Sequence, residues 1–240
     1  MINTSPNLQD PRPETAMTFS ILMYDRETGC YAAAAATGSL CVGGWVLRGD
    51  IESGLVASQG TAPSTFWRDD VLRRMYDGAL AHAAVDQVTG GDAGRGHRQL
   101  LALDRKGGTA GFTGAQSVGY ADHIAEQDLA IAGNMLAGRQ VLTAMRETAR
   151  GEFATPSDRM LAVLDAAAAA GGDARGLLSA ALLVLSPDRP PLDLRIDHSD
   201  DPLPALRALC LRAHRAPYYD WLTEVPVLKD RHRAVLPDAS

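Results

Sequence analysis

Aromatic residues are scarce in this chain, at 5% of 240 residues, and there are only three cysteines. The shortage of large rings means that the core must be assembled from small and aliphatic side chains. Hydrophobic residues still make up 46%, and glycine alone numbers 23, so backbones can approach one another closely. Cys30, Cys41 and Cys210 are odd in number and lack zinc-ligand spacing, which excludes a disulfide framework and fits a reducing, cytoplasmic compartment. There is no excess of positive charge. The formal net charge is −6 with no block of like charges, which argues against nucleic acid as a partner, since phosphate binding needs a basic face. The small clusters Arg95, His97, Arg98 and Arg231, His232, Arg233 read as solvated surface charge.

Long apolar runs are also missing. The longest, residues 31–36 and 180–185, fall far short of the roughly 20 residues that a membrane-spanning helix requires, so no membrane partner is expected. Residues 1–16 are polar, carry Pro6, Pro11 and Pro13, and contain no apolar stretch of the kind a secretory signal needs. They read as a leader or as the product of a misassigned start. The Gly-x-Gly-x-x-Gly, P-loop, His-Glu-x-x-His and Gly-x-Ser-x-Gly patterns are all lacking, and the six histidines are scattered without ligand spacing. No cofactor and no metal are expected.

What is present is a succession of short elements. Residues 18–24 and 30–37 read as a strand hairpin around Asp25-Arg26-Glu27-Thr28-Gly29. The alanines of the second run favour helix, but eight residues bounded by Gly29 and Gly38 are too few for one. A third strand covers 54–59. A helix from Pro63 and Ser64 to Asp77 places Trp67, Val71 and Met75 on one face, and a second helix spans 81–88. Residues 99–104 and 109–112 form another hairpin, and 129–132 a strand ending at Gly133-Asn134. Helices are expected over 138–150 and from Thr155-Pro156-Ser157-Asp158, an N-cap signature, to Ala170. Strands at 179–185 and 192–196, separated by Pro187, Pro190 and Pro191, precede a last helix at 202–213, with the cluster from Asp197 to Asp201 as its loop and N-cap.

Blocks of antiparallel strands thus alternate with helix pairs, unlike the strict alternation of a parallel sheet. The pattern predicts an α+β protein, two sheets packed together with helices outside. One domain is expected over 17–214, followed by a tail over 215–240 whose Tyr218, Tyr219 and Trp221 pack on the body or on a partner.

Several stretches taken in order carry a resemblance. They are Met17-Thr18-Phe19-Ser20-Ile21, Gln59, His97-Arg98-Gln99-Leu100, Phe112-Thr113-Gly114, Gly133-Asn134-Met135-Leu136-Ala137-Gly138, Gly171-Gly172-Asp173-Ala174-Arg175-Gly176, Ser179-Ala180-Ala181-Leu182-Leu183-Val184 and Leu192-Asp193-Leu194-Arg195-Ile196-Asp197. Over about residues 17–214 the chain resembles the bacterial and archaeal DUF1028 family, a group of unknown function assigned to the N-terminal-nucleophile (Ntn) hydrolase superfamily.

The resemblance implies a four-layer αββα sandwich and a reaction class, cleavage of the C–N amide bond of a small-molecule substrate. In Ntn hydrolases the first residue of the mature chain attacks an amide carbonyl, and its own α-amine takes the proton. A free hydroxyl is a weak nucleophile, and an α-amine titrating near 8 is a base already in place. By motif the nucleophile is Thr18, exposed if translation starts at Met17 and that methionine is excised. Asn134 is the candidate oxyanion donor, and Asp173 and Ser179 are the candidate partners of the amine. Thr37, Gln59 and Thr113 are expected to line the pocket. Arg175 is the candidate contact for a carboxylated substrate, since arginine pairs with carboxylates in bidentate fashion. A homo-oligomer is implied as well. One departure stands out: where family members commonly place Ser-Lys after the second strand, this chain has Thr37-Gly38-Ser39, with Arg48 the nearest replacement charge. That change, with an attached leader, points to the alternative of a non-catalytic binding or scaffold protein on the same fold.

Overall fold

The structure, a computed structural model, describes residues 17–171 and 176–234. The proposed leader, Asp173 and Arg175 lie outside the described residues. The chain opens with a hairpin, β1 (Thr18–Asp25) and β2 (Cys30–Thr37), then a short helix α1 (Val42–Trp45), and strands β3 (Leu47–Asp50) and β4 (Gly54–Gly60). Helices α2 (Thr65–Tyr76) and α3 (Ala81–Gly90) follow, then a 3-10 turn at Arg95–His97. Two further hairpins come next, β5 (Arg98–Asp104) with β6 (Thr109–Thr113) and β7 (Tyr120–Glu126) with β8 (Leu129–Leu136). Then come α4 (Arg139–Ala149), α5 (Pro156–Gly171), β9 (Ser179–Ser186), β10 (Arg189–Ile196), α6 (Pro202–Ala213) and α7 (Tyr218–Trp221).

The strands form two sheets, ordered β10-β9-β2-β1-β8-β7 and β3-β4-β5-β6, and every pairing is antiparallel. Three apolar layers separate four layers of structure. Phe19, Ile21, Ala32, Ala34 and Ala36 pack against α4, α5 and α6 on one face of the larger sheet. Leu22, Ala33, Ala35, Leu101 and Leu103 fill the space between the sheets. Val56, Leu100 and Ala102 meet Trp67, Val71 and Met75 of α2, with α3 beside it, on the outer face of the smaller sheet. The four-layer αββα sandwich expected from the sequence is the architecture observed.

The alanine run of β2 is a strand because both of its faces are covered. Period-2 alternation sends Ala32, Ala34 and Ala36 to the helical layer and Ala33 and Ala35 to the other sheet, and each of these five is buried. Burial on both sides outweighs the intrinsic helical preference of alanine, which is worth only tenths of a kcal/mol per residue. The small side chains let the helices and the second sheet close on the central hairpin.

Helix starts follow their expected chemistry, with one exception. The Ser64 side chain accepts from the Trp67 N–H at the head of α2, and the Thr155 hydroxyl accepts from the Asp158 N–H at the head of α5, at 3.0 Å. Asp201 occupies the N-cap position of α6 but makes no capping hydrogen bond with its side chain. The third residue of that helix is Pro204, which has no N–H to offer. β10 begins at Arg189, three residues before the strand expected at Leu192, and contains Pro190 and Pro191. It is an edge strand with a register irregularity between Arg189 and Leu192, where missing N–H groups cost little. The strands β3 and β7 and the short helices α1 and α7 are additions to the expected elements. β7 is a half-buried edge strand and β3 only four residues long, so neither carries a strong alternation. Among the described residues no helix is long and apolar enough to cross a membrane.

Ala35 faces the second sheet with no exposure, so added volume there has no room. Ala35→Leu should lower stability by about 1–3 kcal/mol. The same change at exposed Ala125 should stay within about 0.5 kcal/mol. Urea unfolding midpoints of the two variants compare them directly.

Candidate functional site

At the end of the larger sheet where β1 begins, the strand registers align four polar residues in one row. Asn134 of β8 pairs with Thr18 of β1, Thr18 with Thr37 of β2, and Thr37 with Ser179 of β9. Each is in step with residues of the inter-sheet core, Ala132, Leu22, Ala35 and Ala181, so the row faces the smaller sheet. A second row answers it from that sheet: Gln59 of β4 pairs with Gln99 of β5, and Gln99 with Thr113 of β6. Six of the residues singled out in the sequence therefore converge, joined by Gln99. Asp173 and Arg175 lie outside the described residues.

Hydrogen-bond chemistry fixes the orientation of the buried amides. Gln99 Nε2 reaches Asp122 O and Gly133 O, each at 3.0 Å, and Thr113 Oγ1 at 2.9 Å, so two protons are shared among three acceptors. Two of those acceptors are carbonyls, which only the NH2 end of the amide can face. Gln99 Oε1 must then turn the other way, where it accepts from Gln59 Nε2 at 2.7 Å and from Asn134 Nδ2 at 3.4 Å. Gln59 is oriented in turn: its Oε1 accepts from Ser20 Oγ at 2.7 Å, and its Nε2 also points to Thr18 O at 3.5 Å. Asn134, which lines the pocket, is oriented too: its NH2 group turns to Gln99 Oε1, and its second N–H makes no hydrogen bond among the described residues.

The threonine pair can be resolved in the same way. Thr37 Oγ1 donates to Met17 O at 2.9 Å, which uses its single proton. In the 2.9 Å contact between Thr18 Oγ1 and Thr37 Oγ1, Thr18 is therefore the donor and keeps its lone pairs for other contacts. Met17 O also accepts from the Gly38 N–H at 3.2 Å, so the carbonyl preceding Thr18 is held by two donors. Met17 itself is 2% exposed and packs into the helix-side core.

A β-bulge shapes the floor. Tyr120 pairs with Leu136 but Asp122 with Gly133, so Asn134 and Met135 together oppose Ala121. Without the extra residue, Met135 would face the helices and Leu136 the inter-sheet space. Instead Leu136 joins the helix-side core, and both Asn134 and Met135 line the pocket. Met135 has φ 57°, a left-handed conformation that is rare outside glycine. The strand expected to stop at Ala132 thus runs four residues further, because Gly133 and Asn134 stay in the ladder with Phe19 and Thr18.

The outer wall is the segment from Gly38 to Val46. It is pinned from three sides. Ser179 Oγ donates to Ser39 O at 2.7 Å and accepts from the Val42 N–H at 3.1 Å, so Ser179 holds this wall and does not line the pocket. Arg68 of α2 donates to Gly44 O at 2.7 Å and to Trp45 O at 3.0 Å. Burial, and then the Arg48 charge, lower the Arg68 guanidinium from its usual range, while Asp69 opposes the shift. From behind, Gly43 lies so close to the larger sheet that a Cβ there would sit 2.8 Å from Ala181 Cβ and from Arg195 Cγ. Cys41, at φ 60°, makes the turn into α1. Arg48, the expected replacement charge, points instead to Asp69 at 3.6 Å.

These walls enclose a pocket of about 520 Å³, within the range of small-molecule sites. Thr18, Thr37, Gln59 and Asn134 line it, whereas half-buried Thr113 stands outside the lining, between Gln99 and His123 Nδ1 at 2.9 Å. None of the described lining residues is ionisable, so the carboxylated ligand anticipated from the sequence finds no cation among them. Among the described residues no group of three His, Cys, Asp or Glu side chains comes together as metal ligands would. Sequence reading missed Gln99, the bulge and the 38–46 wall. The detectable signals were a glutamine in an otherwise apolar strand and a Gly-Asn pair inside a strand pattern, which is a bulge signature.

Two outcomes follow from the amide chain. Gln99→Leu leaves buried partners unpaired and should cost about 1–3 kcal/mol for each, read from urea denaturation. His123 is lowered from its usual range by burial, with Asp122 opposing. The unfolded chain then takes up the proton first, so the contribution of His123 is complete above about pH 6.5 and is lost as pH falls through the lowered folded value. Stability should decline over that window in the wild-type chain, and His123→Asn should flatten the decline.

The model of a family of unknown function (DUF1028) matches residues 18–206. The crystal structure of protein SPO2555 from Silicibacter pomeroyi, itself titled as a DUF1028 protein, is 49% identical in sequence with a TM-score of 0.87, over 92% of this chain and 100% of that one. No functionally curated protein matches. With most of its length matched by the family model and by a relative of the same fold, the chain belongs to the DUF1028 family.

Proposed function

We propose that the pocket is the active site of an amidohydrolase in which Thr18, as a mature N-terminus, is the nucleophile. One observation carries this reading: Thr18 begins a central strand inside a pocket between the two sheets, with a hydroxyl neighbour on one side, Thr37, and an oriented amide donor on the other, Asn134. The family match also opens on Thr18. Since no described lining residue is a base, the α-amine of Thr18 is the group that suits proton removal.

In this scheme the Thr18 hydroxyl adds to the amide carbonyl and its proton passes to the α-amine. The carbonyl oxygen becomes an oxyanion stabilised by the second Asn134 N–H, which is unpartnered among the described residues. Collapse breaks the C–N bond, and the ammonium returns the proton to the leaving amine. Water, activated by the same amine, then hydrolyses the Thr18 ester and releases the acid. Loss of Met17 also removes the carbonyl to which Thr37 donates, freeing that hydroxyl to act on Thr18 itself. A reducing, cytoplasmic setting and a homo-oligomer belong to the same reading, with exposed Tyr218 and Trp221 as a candidate contact surface.

A second reading, a binding protein without chemistry, is favoured by the burial of Met17 in the core and the two donors on its carbonyl. An intact chain that keeps these contacts has no free amine at Thr18.

Intact-mass analysis of protein from its native gene should show a chain beginning at Thr18. With such protein, Thr18→Ala should abolish amide hydrolysis, and Asn134→Ala should slow it by about 10²–10³-fold. The rate should rise with pH toward the α-amine's titration near about 8. A mature chain that retains Met17, with turnover indifferent to Thr18→Ala, selects the binding reading.

A further inference from the structure

The pocket is divided by chemistry. Its floor carries the hydroxyls of Thr18 and Thr37 and the amides of Gln59 and Asn134. Its outer wall is mostly apolar, with Leu40, Val42, Trp45 and Val46 beside the single hydroxyl of Ser39 in one short segment, and Met135 from the bulge. Leu40 and Trp45 are each 52% exposed, although they flank a concave site. Among the described residues, three cationic side chains around this wall are engaged elsewhere: Arg68 with Gly44 O and Trp45 O, Arg48 with Asp69, and Arg195 with Asp197 at 2.9 Å.

A ligand charge placed against this apolar wall would lose hydration without gaining an opposite charge from the described lining residues. A carboxylate would carry a further penalty during turnover. Beside the Thr18 amine it would favour the protonated form, which is not a base. An apolar chain, in contrast, shields Leu40 and Trp45 from water at no electrostatic cost.

We propose that the pocket selects an uncharged amide with an apolar acyl chain. The amide sits on the Thr18–Asn134 floor, the chain lies along Leu40, Trp45 and Met135, and Trp45 sets the preference for chain length. The substrate class rests on reading this pocket as the Thr18 site, whereas the ligand preference itself concerns binding alone.

Three six-carbon probes separate charge from length: hexanamide, the monoamide of adipic acid and 6-aminohexanamide. Titration calorimetry on the full Thr18→Ala chain, which cannot turn its ligand over, should show hexanamide binding at least tenfold more tightly than either charged probe. Affinity should rise from acetamide to hexanamide, and Trp45→Ala should flatten that rise. Leu40→Lys, a change at an exposed position, should shift the preference toward the adipic monoamide and serves if Trp45→Ala fails to fold. Equal or tighter binding of a charged probe, or no hexanamide binding up to its solubility limit, overturns the inference. Selective hexanamide binding by a native mature chain that leaves hexanoyl-p-nitroanilide intact would uphold the ligand class and remove the hydrolase reading.

Discussion

The buried amide of Gln99 is the contact on which the site depends. Its NH2 group faces the carbonyls of Asp122 and Gly133, and this alone decides which way Gln59 and Asn134 turn. An amide in water has no such preference. Between two sheets, with 0% exposure at Gln99, reversing it would set donor against donor and oxygen against oxygen. The orientation therefore passes from backbone to Gln99, and from Gln99 to the two side chains that floor the pocket. The Asn134 amide is therefore held in one orientation by the ladder of the sheet and needs no bound ligand to set it.

The scaffold that allows this is the small-residue hairpin. With alanine at five successive positions of β2, the second sheet and the outer helices both come close to the central strands. The polar rows lie where this apolar sandwich ends, at the start of β1, so hydrogen-bonded side chains take over the inter-sheet contact that alanine and leucine make further along. The pinned wall from Gly38 to Val46 then covers the opening from outside. Gly43 makes its close seating on the sheet possible, and Ser179 and Arg68 hold its backbone.

Local pattern reveals much of this architecture. The β1–β2 hairpin, the two helix pairs and the apolar β9 are legible from period, turn residues and caps, because those signals sit within a few residues of each other. The edge strand β7 is not, since half-buried residues on an exposed edge blur the alternation. Nor is the cap of α6 legible from Asp201 alone, because Pro204 removes one of the two N–H groups such a cap can use. Thr18, Thr37, Gln59 and Asn134 were identifiable as site residues through family resemblance, but their common row depends on registers between strands distant in sequence. Gln99 carries no local signal of its role, for its importance lies wholly in what it faces.

The bulge at Asn134 and Met135 separates two kinds of selection. A residue in a regular strand is tied to a partner across the ladder and to the packing layer on its face. Met135 has been released from both: it has no opposing residue of its own, and Leu136 fills the core position that parity would have assigned to it. A change of side chain at position 135 is thereby uncoupled from the core beneath, within the limits that its left-handed φ sets. The sheet thus has one adjustable tooth, placed beside the pocket, where a substitution changes what the pocket holds while Leu136 keeps the core filled.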